Sequence, residues 1–198
     1  MQTNFPDRLL LPRAFDPARL AGDLAAIERR VGWTEHFVKQ NYDGDWSAIA
    51  LRAPEGATHP ITMITSFSSN GAFVDTPLLD HAPYMRETLD FFQCPLQSAR
   101  LMRLAPGSVI KEHRDVDLAF EWGFARLHIP VVTNADVDFR LNGRRVDMAA
   151  GSLWYLRLAD PHSIINAGRA PRVHLVVDVK VDGWLEALFH EATASADD

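Results

Sequence analysis

The sequence has little of three things: cysteine, long apolar runs and excess positive charge. Its one cysteine, Cys94, cannot form a disulfide within the chain, and its apolar neighbours predict a buried, unreactive thiol in a reducing cytoplasm. No apolar run approaches the roughly 20 residues that a membrane-spanning helix needs. Residues 1–15 lack the apolar stretch of a signal peptide. We therefore expect a cytoplasmic protein without a membrane partner.

The negative net charge argues against nucleic acid as a partner. The net charge is −6 and the sequence pI is near 5.7, whereas proteins that bind nucleic acid usually carry a basic face. Hydrophobic residues make up 47% of the chain and charged residues 23%, as in an ordinary folded domain. We find no repeat, low-complexity tract or linker, so we expect one domain over residues 1–198. A small molecule is the expected partner, and the oligomeric state stays open.

Helical patterns occupy both ends of the chain. Asp16 and Pro17 have the character of an N-cap and first helical residue, and apolar residues follow at helical spacing up to Gly32. A second helix is predicted from about Tyr84 to Phe92, and a third from about Asp182.

Between the second and third helices, the apolar period changes from 3.6 to 2, which is typical of a β-sandwich or barrel. Asn142-Gly143 joins two such segments in a predicted hairpin, and the other main strands are predicted at 98–105, 124–132, 152–157 and 172–179. This pattern favours a mainly β fold with flanking helices, a jelly roll. We expect a helical N-terminal flank over about 1–95, a jelly-roll core over about 96–180 and a C-terminal helix over about 182–194.

His113, Arg114 and Asp115 form a His-x-Asp triplet at the end of a strand-like segment. Alternate strand residues project from the same face, so His113 and Asp115 can converge on one metal ion. A histidine from another strand would complete a two-histidine, one-carboxylate triad with open coordination positions. The triplet alone is weak evidence, because a solvated histidine beside an aspartate in a turn is the commoner arrangement.

Two predicted strands also carry polar residues opposite an apolar face. In the segments 124–132 and 172–179 these residues are Arg126, His128, Arg172, His174 and Asp178. In many antiparallel sheets such a face meets water, and this explanation stays open. In a small jelly roll, the same face can line a polar pocket in which an arginine binds a carboxylate.

Four segments in a fixed order are more specific than any one of them: ARLMRLAPGSVIKEHRD, ARLHIPV, GSLWYLRLADPHS and PRVHLVVDV. A His-x-Asp triplet, then His162, then Arg172 ten residues later resembles the aspartyl/asparaginyl β-hydroxylase family of 2-oxoglutarate oxygenases, and in particular its bacterial, proline-hydroxylase-like branch. The likeness covers about two fifths of the chain.

The resemblance implies a double-stranded β-helix (jelly roll, cupin-like) enzyme that uses Fe(II), O₂ and the co-substrate 2-oxoglutarate. Such an enzyme hydroxylates an unactivated C–H bond of an amino acid, an amino-acid-like molecule or a peptidyl residue, and releases succinate and CO₂. The resemblance assigns three catalytic residues to the metal and three residues to the co-substrate: His113, Asp115 and His162, and Arg172, Arg126 and His128, respectively.

Two alternatives remain. A non-catalytic jelly-roll binding module with a structural metal would use the same polar pocket for a small anion or a sugar. A zinc hydrolase would use the three metal ligands and an activated water molecule, but it would leave Arg172 without a role.

The substrate is not identified by the sequence. The segment 116–122 is a candidate loop over the pocket, and Arg100 and Arg103 are candidate partners for a substrate carboxylate. Trp46 and Trp154 are expected in the core.

Overall fold

The computed structural model describes residues 5–66, 68 and 71–194. Two antiparallel β-sheets face each other, and helices cover the outer surface of the larger sheet. This is the jelly-roll fold expected from the sequence. None of the described helices is long and apolar enough to cross a membrane.

The α-helices and β-strands follow one another along the chain in this order. The first half contains β1 (Arg8–Ala14), α1 (Pro17–Glu28), β2 (Thr34–Glu35), β3 (Tyr42–Asp43), β4 (Trp46–Pro54), α2 (Pro60–Met63), β5 (Phe73–Asp75), α3 (Pro83–Asp90) and β6 (Leu96–Leu104). The second half contains β7 (Val109–His113), β8 (Phe124–Val132), β9 (Val137–Leu141), β10 (Arg144–Arg145), β11 (Ser152–Leu156), β12 (His162–Asn166), β13 (Arg172–Lys180) and α4 (Gly183–Ala194). The larger sheet has the order β1-β11-β8-β13-β6-β4-β2, with β5 beside β4, and the smaller sheet has the order β10-β9-β12-β7-β3.

The centre of the larger sheet is formed by β8 and β13, whose two faces differ in chemistry. The apolar faces, which include Leu127 and Leu175, pack under the helices. The polar faces, which include Arg126 and Arg172, are also buried, because they look toward the smaller sheet. The interior of the jelly roll, and not the solvent, therefore receives these polar side chains.

The first predicted helix is α1, and its start is capped as expected. The side chain of Asp16 accepts hydrogen bonds from the backbone N–H groups of Ala18 and Arg19. Leu20 and Ile27 of the same helix are fully buried and anchor it to the apolar face of the sheet.

The N-terminal flank differs from the predominantly helical segment that we expected up to about residue 95. It contributes β1 and β4 to the larger sheet, where Leu9 pairs with Tyr155 and Ile49 with Leu101. Most residues of β4 are buried, so the strand lacks the apolar-polar alternation that identifies a strand with one wet face. Pro12 in β1 is tolerated because β1 lies at the edge of its sheet.

The Asn142-Gly143 hairpin is confirmed. Both residues have positive φ, 51° and 71°, as a two-residue type I′ turn requires, and Arg144 pairs with Leu141 across it. The second strand of the hairpin, β10, contains only Arg144 and Arg145.

Gly151, which precedes β11, is in contact with Phe15, which follows β1. Its φ is 78°, and its carbonyl accepts a hydrogen bond of 2.8 Å from the backbone N–H of Phe15. A Cβ atom at Gly151 would lie 2.1 Å from the carbonyl oxygen of Phe15. The position therefore needs glycine both for its φ and for the close approach of the neighbouring backbone.

Replacing Gly151 with alanine should destabilise the protein more than the same change at Gly56, which has a similar φ of 77° but open space around it. Gly56→Ala is expected to cost about 1–2 kcal/mol for the left-handed conformation. Gly151→Ala should cost about 1–3 kcal/mol more, because the backbone must move. Urea unfolding of the two variants measures the difference, and equal losses would contradict the close approach.

Candidate functional site

The pairing of β7 with β12 brings two of the expected metal ligands together. His113 lies opposite His162 in the register, and their ring centroids are 4.3 Å apart. Asp115 follows β7, and its backbone N–H donates to the carbonyl of Leu158 at 2.8 Å. One ligand atom from each of the three side chains lies within 4.8 Å of the others, which fits a single metal ion.

The hydrogen bonds of the two histidines decide which ring nitrogen is free. Nδ1 of His113 lies 2.8 Å from the carbonyl of Lys111, and Nδ1 of His162 lies 3.0 Å from the carbonyl of Asp160. A carbonyl only accepts, so each Nδ1 carries the proton and each Nε2 keeps its lone pair. Both histidines thus have the tautomer in which Nε2 can bind a metal. Burial lowers the pKa of His162 to about 4, which keeps this ligand neutral at neutral pH.

A buried charge network lies beside the three ligands. Asp178 on β13 accepts hydrogen bonds from Ser98, from Nη2 of Arg100 at 2.8 Å and from Nε of Arg126 at 2.6 Å. Nη1 of Arg126 also donates to Asp115 at 2.5 Å. Burial alone would raise the pKa of Asp178, but the guanidinium groups of Arg126 and Arg100 lower it to about 2. Arg126 therefore connects a candidate metal ligand to the centre of the sheet.

Arg172 lies at the other side of the triad and has no carboxylate partner in the part of the chain that the structure describes. It is 2% exposed. Its Nη2 donates to Nδ1 of His174 at 2.9 Å, while its Nε has no hydrogen-bond partner among the residues that the structure describes. Burial lowers its pKa to about 9, so it is still a cation at neutral pH. A buried cation without a counter-ion is costly and indicates a place for an anionic ligand.

His174 and His128 form a hydrogen-bonded chain with the guanidinium group of Arg172. Because an arginine only donates, Nδ1 of His174 must accept, and the proton in its 3.4 Å contact with His128 belongs to Nδ1 of His128. Nε2 of His128 is then an acceptor, and it has no hydrogen-bond partner among the described residues. Burial, followed by the charge of Arg172, lowers the pKa of both histidines well below the usual value, so both stay neutral.

Two connected spaces surround these groups. An inner cavity of about 40 Å³ lies between the triad and Arg172. An outer pocket of about 460 Å³ lies on the side of His36 and Val116. Trp46, Asp115 and the other residues that line both spaces place the candidate metal position at their junction.

Of the two arginines that we named as candidate partners for a substrate carboxylate, one lies at the site and one does not. Arg100 lines the outer pocket but is already paired with Asp178. Arg103 pairs with Asp45 and lies over the ring of Trp33, and it does not line either space.

The two tryptophans that we expected in the core also differ from each other. Trp46 is buried as expected, yet it lines both spaces, and its indole N–H has no hydrogen-bond partner in the described part of the chain. Trp154 packs at the edge of the core between the sheets. Of the candidate loop, Val116, Asp117 and Leu118 line the outer pocket.

Sequence reasoning missed His36. Its ring stacks on Trp46 at 3.6 Å and on Phe37 at 4.7 Å, and its Nδ1 accepts from the N–H of Val38 at 3.4 Å. Burial, and then the charges of the two site arginines, lower its pKa to about 3. The segment before β4 has no motif that could have predicted this position.

Replacing Asp178 with asparagine should destabilise the protein by about 3–5 kcal/mol, because the buried Arg100 loses its carboxylate partner and the buried Arg126 keeps only Asp115. Asp45→Asn breaks the half-exposed pair with Arg103 and should cost less than about 1 kcal/mol. Denaturant unfolding at neutral pH compares the two. A loss at Asp178 no larger than at Asp45 would show that the network contributes little to stability.

His36 should make stability depend on pH. Its pKa is about 3 in the folded protein and about 6.5 when unfolded, so its contribution is complete above pH 6.5 and falls as the pH falls toward 3. Between pH 6.5 and 5 the loss is about 2 kcal/mol. His36→Gln should lack this loss, whereas a variant at the exposed His81, His81→Gln, should keep it. Unfolding curves at the two pH values test this, and parallel losses in all three proteins would contradict it.

The chain is similar in sequence to a known protein family and to individual enzymes. A family profile described as aspartyl/asparaginyl beta-hydroxylase matches residues 18–181. The chain is 29% identical to an L-proline cis-4-hydroxylase of Rhizobium meliloti (strain 1021) over 87% of its length, and 30% identical to an L-proline cis-3-hydroxylase 2 of a Streptomyces species over 91% of its length. It spans only 60% and 63% of those two relatives.

Solved structures agree on the fold. A 2OG-Fe(II) oxygenase family oxidoreductase from Burkholderia pseudomallei aligns with a TM-score of 0.56 and 17% identity over 89% of this chain and 87% of that one. A prolyl-4-hydroxylase from Pseudomonas putida aligns with a TM-score of 0.50 and 13% identity over 89% and 94%. Because the family profile covers most of the sequence, the chain belongs to the aspartyl/asparaginyl β-hydroxylase family.

Proposed function

We propose that this chain is an Fe(II)- and 2-oxoglutarate-dependent dioxygenase. It hydroxylates an unactivated C–H bond of an amino acid, an amino-acid-like molecule or a peptidyl residue, and it releases succinate and CO₂. The observation that carries the proposal is that three candidate metal ligands and one buried, unpaired arginine line the same small cavity.

The donor set fits the metal. Two neutral imidazoles and one carboxylate are the protein ligands of many non-haem Fe(II) oxygenases, and they leave coordination positions free. In this proposal His113, Asp115 and His162 hold the iron. When iron and 2-oxoglutarate are bound, they supply the oxidation: one atom of O₂ enters the substrate C–H bond and the other enters succinate.

The other residues bind and position. Arg172 receives the distal carboxylate of 2-oxoglutarate, which supplies the missing counter-ion of a buried cation. His174 and His128 hold Arg172 in place through their hydrogen-bonded contact. Arg126 fixes the orientation of Asp115 through their 2.5 Å bond, and the narrow, buried cavity keeps bulk water from the reacting groups.

The substrate and setting of the reaction are also proposals. The two curated relatives are named for L-proline, so a small amino acid substrate is the first class to test. The cytoplasm is the proposed location, and we propose no nucleic-acid or membrane partner.

The alternative of a binding module with a structural metal is not favoured. Such a module would bind an anion at Arg172 without iron and would consume no O₂. The curated relatives are named as hydroxylases, which also speaks against it. A zinc hydrolase would still leave Arg172 unexplained.

The proposal is tested by anaerobic titration of 2-oxoglutarate into the Fe(II)-loaded protein, followed by calorimetry and by the iron-to-ketoacid charge-transfer absorbance. Arg172→Ala should weaken binding by about tenfold or more, since a charged hydrogen-bonded pair is worth about 1.5–3 kcal/mol. His162→Ala should abolish the absorbance, because it removes a metal ligand.

Arg103→Ala is the matched control, because this arginine lies on the neighbouring strand and is paired outside the site. It should bind 2-oxoglutarate as the wild type does. No iron-dependent binding in the wild type, or equal weakening by the two arginine variants, would reject the proposed function.

A further inference from the structure

The inner end of the outer pocket carries charged groups of both signs. Arg100 and Arg126 face Asp178 and Asp115 there, and Asp117 also lines the pocket. An arginine can receive a carboxylate, and an aspartate can receive an ammonium group. Both charged groups of an amino acid therefore have candidate partners of opposite sign in this pocket.

Three exposed apolar side chains line the same pocket, beside the polar residues Asn41, Ser66, Gln97 and Asp117. Phe37, Val116 and Phe124 are 46%, 72% and 38% exposed. They are three of the eight large apolar side chains that are exposed in the described part of the chain. Apolar residues gathered around one opening mark a ligand-binding groove more often than a bare surface.

Further apolar side chains line the pocket. Met102 and Trp46 are buried and also line the inner cavity beside the candidate metal position, and Val38 and Leu118 are half-buried. The pocket of about 460 Å³ lies in the range that holds drug-sized ligands, roughly 300–1,000 Å³. Free proline, with eight non-hydrogen atoms, would occupy only part of it.

We propose that the substrate is an amino acid with a hydrocarbon extension that reaches from the metal site to the rim formed by Phe37, Val116 and Phe124. The inference rests on the proposed hydroxylase function and makes its substrate class more specific. The hydrocarbon explains both the volume and the three exposed apolar side chains.

The test is a series of L-2-amino acids with unbranched side chains, from alanine through norvaline and norleucine to 2-aminooctanoate, with L-proline as the reference. Binding is measured by calorimetry, anaerobically, to the protein loaded with Fe(II) and 2-oxoglutarate and to the metal-free protein. Affinity should rise about two- to fourfold for each added methylene, as burial of a CH₂ group predicts, and the longest member should bind more tightly than proline.

A matched pair of valines tests whether the rim is responsible. Val116→Asn should weaken the binding of 2-aminooctanoate about threefold or more, and that of alanine much less. Val74→Asn changes a valine on β5 that is 42% exposed and lies outside the pocket, so it should have no effect. Because Val116 is largely exposed, its variant should fold normally.

The outcomes separate this inference from the proposed function. If affinity does not rise with chain length, or if the two valine variants behave alike, the hydrocarbon substrate is rejected even when iron-dependent 2-oxoglutarate binding is normal. If the series binds with the expected slope to metal-free protein but 2-oxoglutarate binding fails, the pocket is correctly described and the oxygenase chemistry is wrong.

Discussion

The buried carboxylate of Asp178 is the interaction on which the interior of this jelly roll depends. It accepts hydrogen bonds from Ser98 and Arg100 on β6 and from Arg126 on β8, so three central strands meet at one group. Without it, Arg100 would lose its carboxylate partner and Arg126 would keep only Asp115, and an uncompensated buried charge is costly. Because Arg126 also bonds to Asp115, the same carboxylate sets the position of a candidate metal ligand.

Burial in this interior keeps its histidines neutral. The buried histidines His36, His128, His162 and His174 all have lowered pKa values, with burial as the largest cause. Neutral imidazole is the form that binds a metal and the form that can accept a bond from Arg172. The positive charge of the interior therefore stays on arginines, where an anionic co-substrate can use it.

The two spaces differ in chemistry. The inner cavity lies between the three candidate metal ligands and Arg172, a buried cation. The outer pocket carries charged groups of both signs and three exposed apolar residues, Phe37, Val116 and Phe124. In the proposed function, the metal chemistry and the choice of substrate would therefore depend on different residues, which would allow one metal centre to serve different molecules.

Local patterns in the sequence were sufficient for much of the fold. The two faces of β8 and β13 follow from the alternation of apolar and polar residues, which Pro130 and Val176 interrupt. Helix α1 follows from its cap and spacing, and the turn at Asn142 from its dipeptide, because each depends on residues close together in the chain. The triplet of His113 and Asp115 belongs to the same class, since two residues of one strand share a face.

Other features were decided by the tertiary structure alone. Alternation separates the two faces of a strand but does not say which one packs against a second sheet, so the burial of Arg172 depended on how the sheets meet. β4 carries no alternation because it is buried on both faces. The pairing of Asp178 with Arg100, 78 residues apart in sequence, and the stacking of His36 on Trp46 join segments without local signals. The sequence by itself determined which side chains share a face, and the packing of distant strands determined what those faces enclose.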